Sequence, residues 1–219
     1  MSSLIKICGL GTPETMDAAL EAGADFVGLN SYARSPRYVE PSVAASLAAQ
    51  ARGRAKVVWL VVDADDAAIE RLVNAAQPDY LQVHGAETPE RVAAIVRRWG
   101  IPAIKVIKVA VAADAAEACR FQGIAAFPMF DAKPVAGGTA KLPGGNGVPF
   151  DWTLIALAAD KGPFMLAGGL DAGNVAAAIQ LTRAPMVDVS SGVESAPGIK
   201  DVGKIRAFIA AARGEAMKD

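Results

Sequence analysis

The sequence is short of the residues and segments that mark several classes of protein. It contains two cysteines and one histidine in 219 residues, and its acidic and basic side chains nearly balance. Two thiols do not make a disulfide framework, and a near-neutral charge gives no reason to expect nucleic acid or an anionic membrane as a partner. No stretch reaches the ~20 apolar residues of a membrane span. The first residues also lack the pattern of a signal peptide, so we expect a reduced, cytoplasmic protein.

Metal and dinucleotide sites are not indicated either. His84 is the only histidine, and no group of cysteines or carboxylates has the spacing of metal ligands. No Gly-x-Gly-x-x-Gly motif opens a helix, as a dinucleotide site would require. The residues therefore support neither a metal site nor a dinucleotide site.

Apolar residues, in contrast, are plentiful: they make up 53% of the chain, enough for one large core. Short apolar runs alternate with alanine-rich amphipathic segments, as expected for strands buried on both faces and the helices between them. The predicted strands are Leu4–Cys8, Phe26–Leu29, Val57–Val62, Tyr80–Val83, Ala103–Ile107, Ala125–Phe130, Phe164–Ala167 and Met186–Val189. The clearest helical patterns are Pro13–Ala22, Ala64–Ala76, Pro89–Arg98, Asp171–Leu181 and Val202–Arg213.

Eight strand–helix units allow a closed barrel or an open doubly wound sheet. Because the chain is short for eight units, the closed form is favoured. We predict an α/β protein in which residues 1–219 form a single (β/α)8 TIM-barrel domain. Enzymes with this fold have their active sites at the carboxyl ends of the strands.

Local signals predict some element boundaries. Thr12 and Thr88 each precede a proline and an acidic residue, which is typical of a helix start, and Asp63 and Asp171 are further candidate caps. The helix around residues 112–120 is the weakest; it includes Cys119, which we expect to face the barrel wall. The connection from residue 133 to residue 149 contains five glycines. Its length and position favour a lid over the active site.

Two groups at predicted strand ends are suited to proton transfer. Cys8 ends the first strand, and a thiol there can act as a base. Asp131 ends the sixth strand, where a partly desolvated carboxyl group can stay protonated and act as an acid. Strands one and six are three steps apart in an eight-stranded ring. We therefore expect the two groups to face each other across the mouth, with a substrate between them.

Other residues at the same end suggest an anionic ligand. Gly168 and Gly169 follow the seventh strand, and Ser190, Ser191 and Gly192 follow the eighth, on the loops where barrels often bind phosphate. An arginine after the second strand, Arg37, could hold a carboxylate with its two-pronged guanidinium group. His84, at the end of the fourth strand, is expected to line the site.

Several segments, taken in order along the chain, resemble the phosphoribosylanthranilate isomerase family. They are Lys6–Gly9, Ser35–Arg37, Leu81–Gly85, Phe130–Ala132, Gly137–Thr139, Phe150–Trp152, Leu166–Leu170, Val187–Ser195, Pro197–Gly198 and Lys200–Asp201. Two features depart from the family pattern: the polar residues Asn30 and Tyr32 in the second unit, and the extra residues 142–147 in the long connection.

The resemblance implies an isomerase of tryptophan biosynthesis that uses no cofactor. Its reaction is the Amadori rearrangement of N-(5-phosphoribosyl)anthranilate to 1-(2-carboxyphenylamino)-1-deoxyribulose 5-phosphate. By the same resemblance Asp131 is the general acid, Cys8 is the general base and Arg37 holds the anthranilate carboxylate. The glycine and serine loops bind the phosphate, and His84 and Asp188 line the site.

Three alternatives stay open. A sister Amadori isomerase of histidine biosynthesis would use aspartates for both roles, which Cys8 disfavours. A Schiff-base aldolase would need a lysine that projects into the barrel, and Lys105 is the candidate. A barrel that only binds phosphorylated ligands would not depend on Cys8 or Asp131. The exposed helix faces show no long apolar stripe, so we predict a monomer. Its expected partner is the phosphorylated aminosugar substrate that the resemblance implies.

Overall fold

The structure is a computed structural model that describes residues 3–132, 151–156 and 162–215. Eight parallel strands form a closed barrel in chain order, and β8 pairs with β1 through registers such as Leu4 with Met186. The strands are β1 (Leu4–Cys8), β2 (Phe26–Asn30), β3 (Lys56–Val61), β4 (Tyr80–Val83), β5 (Ala103–Val109), β6 (Phe127–Ala132), β7 (Met165–Leu166) and β8 (Met186–Val189). The predicted barrel is confirmed, because an open sheet would leave β1 and β8 unpaired.

Helices connect the strands on the outside of the barrel. They are α1 (Pro13–Glu21), α2 (Pro41–Ala51), α3 (Asp66–Ala76), α4 (Pro89–Trp99), α5 (Ala112–Ala116), α6 (Thr153–Ala156), α7 (Val175–Thr182) and α8 (Val202–Arg213). The expected weakness of the fifth helix is confirmed, since α5 has five residues and continues as a 3-10 helix. A ribbon of β9 (Glu194–Ala196) and β10 (Ile199–Lys200) follows β8. The predicted lid, residues 133–149, lies outside the described residues.

Side chains alternate between two apolar cores along each strand. Ile5, Ile7, Val187 and Val189 belong to the core between the barrel and its helices. A second apolar cluster fills the barrel itself. Since successive strand residues point to opposite faces, the residues between those outward-facing positions, on β1 and β8, point into the barrel.

Helix starts follow the predicted capping chemistry at two threonines. The Thr12 side chain accepts a hydrogen bond from the Thr15 backbone N–H, and Thr88 accepts one from Arg91. A threonine cap of this kind contributes about 1 kcal/mol.

Three local predictions are wrong. Asp63 is not the cap of α3: Asp65 is, while Asp63 takes a φ of +46° and accepts a hydrogen bond from the Ala86 N–H. Asp171 is not the cap of α7. It forms a turn with Gly173, and α7 begins only after Asn174. Cys119 does not face the barrel wall: the 3-10 helix presents it to solvent.

Candidate active site

Cys8 lies at the carboxyl end of β1, inside the barrel, and two buried charged groups stand beside it. Lys6, two residues earlier on the same face, is fully buried. Its Nζ lies 2.8 Å from Oδ1 of Asp188 on β8. The Cys8 sulfur lies beside the Lys6 ammonium group, since a Cβ atom at Gly28 would lie 3.0 Å from both Cys8 Sγ and Lys6 Nζ. The end of the first strand therefore carries a connected row of carboxylate, ammonium and thiol.

The surroundings of Cys8 act on its proton in opposite directions. Burial raises the pKa of the Cys8 thiol above its ordinary value, because the thiolate loses its hydration. The positive charge of Lys6 opposes this rise, and the charge of Asp188 adds to it. The result is a raised pKa, so the thiol form of Cys8 dominates near neutral pH.

Asp131 lies on β6, which is three steps from β1 around the ring through β8 and β7. The side chain is buried, and its Oδ1 accepts a hydrogen bond from the Ala132 N–H at 2.9 Å. Its Oδ2 lies 3.4 Å from Nε2 of His84, at the end of β4. His84 Nδ1 in turn lies 3.3 Å from the Gln82 amide nitrogen. An amide that donates to Nδ1 leaves the ring proton on Nε2, the nitrogen that faces Asp131.

The two loops predicted to bind phosphate are in direct backbone contact. A side chain at Gly192 would place its Cβ 2.0 Å from the carbonyl oxygen of Leu170, so only glycine allows this approach. Gly168 has a φ of +86°, and a Cβ there would lie 2.6 Å from the Ala132 nitrogen. Because Gly168 and Gly192 have no side chain, the loops after β7 and β8 can approach each other closely beside Asp131.

Ser190 and Ser191 begin a 3-10 turn after β8. The first N–H groups of such a turn have no acceptor within it and are suited to bind an anion. The Ser190 hydroxyl donates to the Cys8 carbonyl oxygen at 3.2 Å, and Lys200 donates to the Ser190 carbonyl oxygen at 2.8 Å. The candidate phosphate loop is therefore tied to the strand that carries the thiol and has a buried cation beneath it.

Arg37 lies in the loop after β2 and is buried. Its Nε and Nη2 donate to the two carboxylate oxygens of Glu194, at 2.7 and 2.8 Å. Lys200 Nζ also contacts Glu194, at 2.6 Å. Burial alone would raise the pKa of Glu194, but Arg37 and Lys200 outweigh it and hold this pKa below its ordinary value. Two basic side chains therefore share one ionised carboxylate, while burial lowers the pKa of Lys200 in spite of its contact with Glu194.

The polar residue Asn30, which departs from the family pattern, helps to position Arg37. Asn30 is buried and donates from its amide to the Ser35 hydroxyl at 3.1 Å, while the Arg37 N–H donates to the same hydroxyl. The Asn30 amide oxygen accepts from the Tyr32 N–H at 2.8 Å. This side chain thus sets the course of the loop that ends at Arg37.

The structure brings the predicted residues to one end of the barrel and adds four that sequence reasoning missed. They are Lys6, Gln82, Glu194 and Lys200. A charged residue inside an apolar strand was the available signal for Lys6. Its pairing with Asp188, 182 residues later, follows only from barrel closure.

The lysine of the aldolase alternative points away from the site. Ile104 and Val106 belong to the cluster inside the barrel, so Lys105 between them faces outward. Its Nζ contacts the Glu87 carboxylate at 2.8 Å and the Gly85 carbonyl oxygen at 2.9 Å. This geometry excludes Lys105 as the lysine of a Schiff-base reaction.

The described residues include neither a metal-ligand cluster nor a membrane-spanning helix. Within residues 3–132, 151–156 and 162–215, no group of three or more histidine, cysteine, aspartate or glutamate side chains is arranged to hold a metal ion. None of the helices in the described part of the chain has the length and apolar character that crossing a membrane requires.

A closed parallel barrel with buried polar side chains at the carboxyl ends of its strands is the architecture of the (β/α)8-barrel enzymes. Comparison with known proteins narrows this class to one family. The model of N-(5'-phosphoribosyl)anthranilate (PRA) isomerase matches residues 5–211. The chain therefore belongs to the N-(5'-phosphoribosyl)anthranilate isomerase family, and the prediction of this family, with its isomerase class, is confirmed.

Individual relatives agree over nearly the whole chain. The isomerase of Nitrobacter winogradskyi is 53% identical over 97% of this chain and 94% of its own. Monomers of the dimeric isomerase from Thermotoga maritima are 31% identical with a TM-score of 0.83, over 97% of this chain and 99% of theirs. A family structure in complex with reduced 1-(o-carboxyphenylamino)-1-deoxyribulose 5-phosphate is also 31% identical, with a TM-score of 0.84 and the same coverage. The monomer predicted from sequence stays a prediction.

Proposed function

We propose that this chain converts N-(5-phosphoribosyl)anthranilate to 1-(2-carboxyphenylamino)-1-deoxyribulose 5-phosphate, with Asp131 as acid and Cys8 as base. The observation that carries the assignment is the placement of both groups. Each is buried at the carboxyl end of an inner strand, and the two strands are three steps apart around the barrel. This separation suits two groups that act on different atoms of one substrate.

The reaction needs two proton transfers within the sugar. Protonated Asp131 gives its proton to the ring oxygen as the C1–O bond breaks, and the anilino nitrogen supplies the electron pair that forms an iminium ion. The iminium acidifies the C2 proton, which the Cys8 thiolate takes to become a thiol. The resulting enamine tautomerises to the ketone. Each positioned acid or base typically contributes a factor of ~10²–10⁴ in rate.

His84 supports the acid in this scheme. Its Nε2 faces Asp131 Oδ2 at 3.4 Å, a contact that can shorten when substrate binds. A ring that carries its proton on Nε2 stabilises the carboxylate that remains after Asp131 has given its proton away. The imidazole therefore acts on the acid and not on the base.

The two anionic ends of the substrate match two sites in the barrel mouth. We assign the phosphate to the N–H groups of the paired loops at Gly168–Gly169 and Ser190–Gly192. We assign the anthranilate carboxylate to the group of Arg37, Glu194 and Lys200, because two buried basic side chains there share a single carboxylate. Asp188 lines the site between them through Lys6.

A turnover assay with two variants tests the proposal. The substrate is formed in situ and the loss of its fluorescence is followed for the wild type, Cys8→Ser and Asp131→Asn. Both variants should lose two or more orders of magnitude in kcat. Cys119→Ser, which changes an exposed thiol, is the matched control and should keep wild-type turnover. Absence of turnover in the wild type would refute the substrate assignment, and an active Cys8→Ser variant would refute the role of the thiol.

A further inference from the structure

We propose that Lys6 is the positioning residue of Cys8: its ammonium group orients the sulfur and stabilises the thiolate form. The reaction assigned above uses the thiolate as base but leaves open what stabilises a negative sulfur inside the barrel. This inference rests on that proposed role of Cys8. Its first test, however, is a direct titration of the thiol and does not depend on turnover.

The geometry of β1 brings the two groups together. Lys6 and Cys8 are separated by one residue, Ile7, which belongs to the outer core, so both point into the barrel. Gly28, on the neighbouring strand β2, marks how close they are. A Cβ atom at Gly28 would lie 3.0 Å from Cys8 Sγ and 3.0 Å from Lys6 Nζ. The glycine therefore leaves the space in which ammonium and sulfur meet.

Asp188 keeps Lys6 charged in this buried position. Burial alone would lower the pKa of Lys6, but Asp188 and Cys8 outweigh it, and the pKa is raised. A lysine that is fully buried and still protonated provides a permanent positive charge beside the sulfur. Its contact with Asp188 at 2.8 Å also fixes the direction of the ammonium group.

Other charged groups around Cys8 do not replace Lys6. Asp188 on β8 disfavours the thiolate, and Lys200 on β10 favours it less than Lys6 does. The Arg37 side chain packs over Gly9, the next residue, but its guanidinium group is held by Glu194. Of these four, Lys6 is the cation that lowers the pKa of Cys8 most. Removing Lys6 therefore takes away the largest influence that opposes the effect of burial on the pKa of Cys8.

The first measurement is the thiolate absorbance in the ultraviolet as a function of pH. It uses the full chain with Cys119→Ser, so that Cys8 is the only thiol, and the spectrum of Cys8→Ser in the same background is subtracted. In Lys6→Met the thiolate fraction at a given alkaline pH should fall about tenfold or more, since the positive charge beside the sulfur is lost. Lys6→Arg, which keeps the charge, should restore part of the fraction.

Two further variants separate charge from damage to the fold. Lys105→Met breaks a second buried lysine–carboxylate pair of the same length, 2.8 Å, on the outer face of the barrel. It should leave the Cys8 titration unchanged. Lys6→Met with Asp188→Asn removes both charges, so no carboxylate is left unpaired. Its thiolate fraction should lie between that of the wild type and that of Lys6→Met.

The second measurement is the pH profile of kcat/KM. If Cys8 is the base, the rising limb of the profile should move to higher pH in Lys6→Met by the same amount as the thiol titration. If the pH of the thiol titration moves while the rising limb of the kcat/KM profile stays fixed, the result supports the positioning role of Lys6. It also refutes the role of Cys8 as the base. Wild-type titration in both Lys6→Met and the double variant overturns the inference about Lys6.

Discussion

Cys8 and Cys119 carry the same thiol in opposite surroundings. Cys119 is exposed on a 3-10 helix, whereas Cys8 is buried between an ammonium group and the end of a strand. The thiol in the barrel depends on a balance between lost hydration and one adjacent cation, so its reactivity is a property of its neighbours.

This balance predicts the pH dependence of the reaction. Burial raises the pKa of Cys8, so the protonated form, which cannot take a proton, dominates near neutral pH. On the proposed mechanism kcat/KM should therefore rise with pH beyond neutrality, in proportion to the thiolate fraction, until a second group limits it. Initial rates across the neutral and alkaline range test this. A kcat/KM that is constant from neutral pH upward would show that the base is already ionised.

The backbone contact at Gly192 predicts a specific binding defect. Gly192→Ala would place a Cβ 2.0 Å from the Leu170 carbonyl oxygen and force the loops after β7 and β8 apart. We expect KM to rise at least tenfold, with a smaller effect on kcat, because the phosphate is held alike in the ground state and the transition state. Gly11→Ala is the control: its Cβ would lie 3.6 Å from Val39, an ordinary contact. Equal kinetics for both variants would exclude a phosphate site between these loops.

At the scale of elements, the loop after β4 is built on one buried carboxylate. Glu87 Oε1 accepts from the backbone N–H groups of Asp63 and Gly85, and Oε2 contacts Lys105. Burial would raise the pKa of Glu87, but Lys105 and the backbone donors outweigh it and lower this pKa. The loop that carries His84 to the mouth is thus anchored from outside the barrel.

Lys105 should therefore matter for stability and not for chemistry. Lys105→Met leaves Glu87 as an unpaired buried charge, which typically costs about 3–5 kcal/mol. Urea unfolding should show this loss, and Lys105→Met with Glu87→Gln should recover part of it. Turnover per folded molecule should stay near that of the wild type. A borohydride-trapped adduct that disappears in Lys105→Met would contradict this view and support the aldolase alternative.

The hydrophobic periodicity of the sequence was sufficient to predict the strands. It was insufficient to predict which residues distant in sequence contact each other. The predicted bounds of β1, β4 and β8 coincide with the observed ones, because buried parallel strands are continuous apolar runs. β7 is shorter than predicted by one residue at each end. Strand-end position was the signal that made Cys8 and Asp131 candidates, and their catalytic roles stay a prediction.

The ion pairs of the site could not be predicted in the same way. Arg37 and Glu194 are 157 residues apart in sequence, and no local pattern states that the ribbon after β8 reaches the loop after β2. Oppositely charged residues are common in any sequence. Which of them form ion pairs can be predicted only once the closed barrel is known. The role of Arg37 as the carboxylate ligand stays a prediction.

At the scale of the whole molecule, buried carboxylates link stability to pH. Glu87 and Glu194 both have pKa values held below the ordinary value of 4.5. The unfolded chain therefore takes up protons at a higher pH than the folded one. The stability from these two groups is fully present above about pH 4.5 and is lost as pH falls through their folded pKa values.

Urea unfolding at successive pH values from neutral to acidic should show this loss. The free energy of unfolding should decline below the ordinary carboxyl range. The double variant Lys105→Met with Glu87→Gln should decline less steeply, because one of the two linked groups is gone. The same slope in both proteins would mean that Glu87 does not contribute to acid sensitivity.

Pairing between β1 and β8 also orders events during synthesis. Lys6 leaves the ribosome long before Asp188, which follows it by 182 residues, and Ser190, which holds the Cys8 carbonyl, comes later still. While the nascent chain grows, the thiol is in water without its buried partners. The first strand contributes the sulfur and the last strand completes its surroundings. Interrupted translation should thus release only fragments without activity, and turnover reports the finished chain.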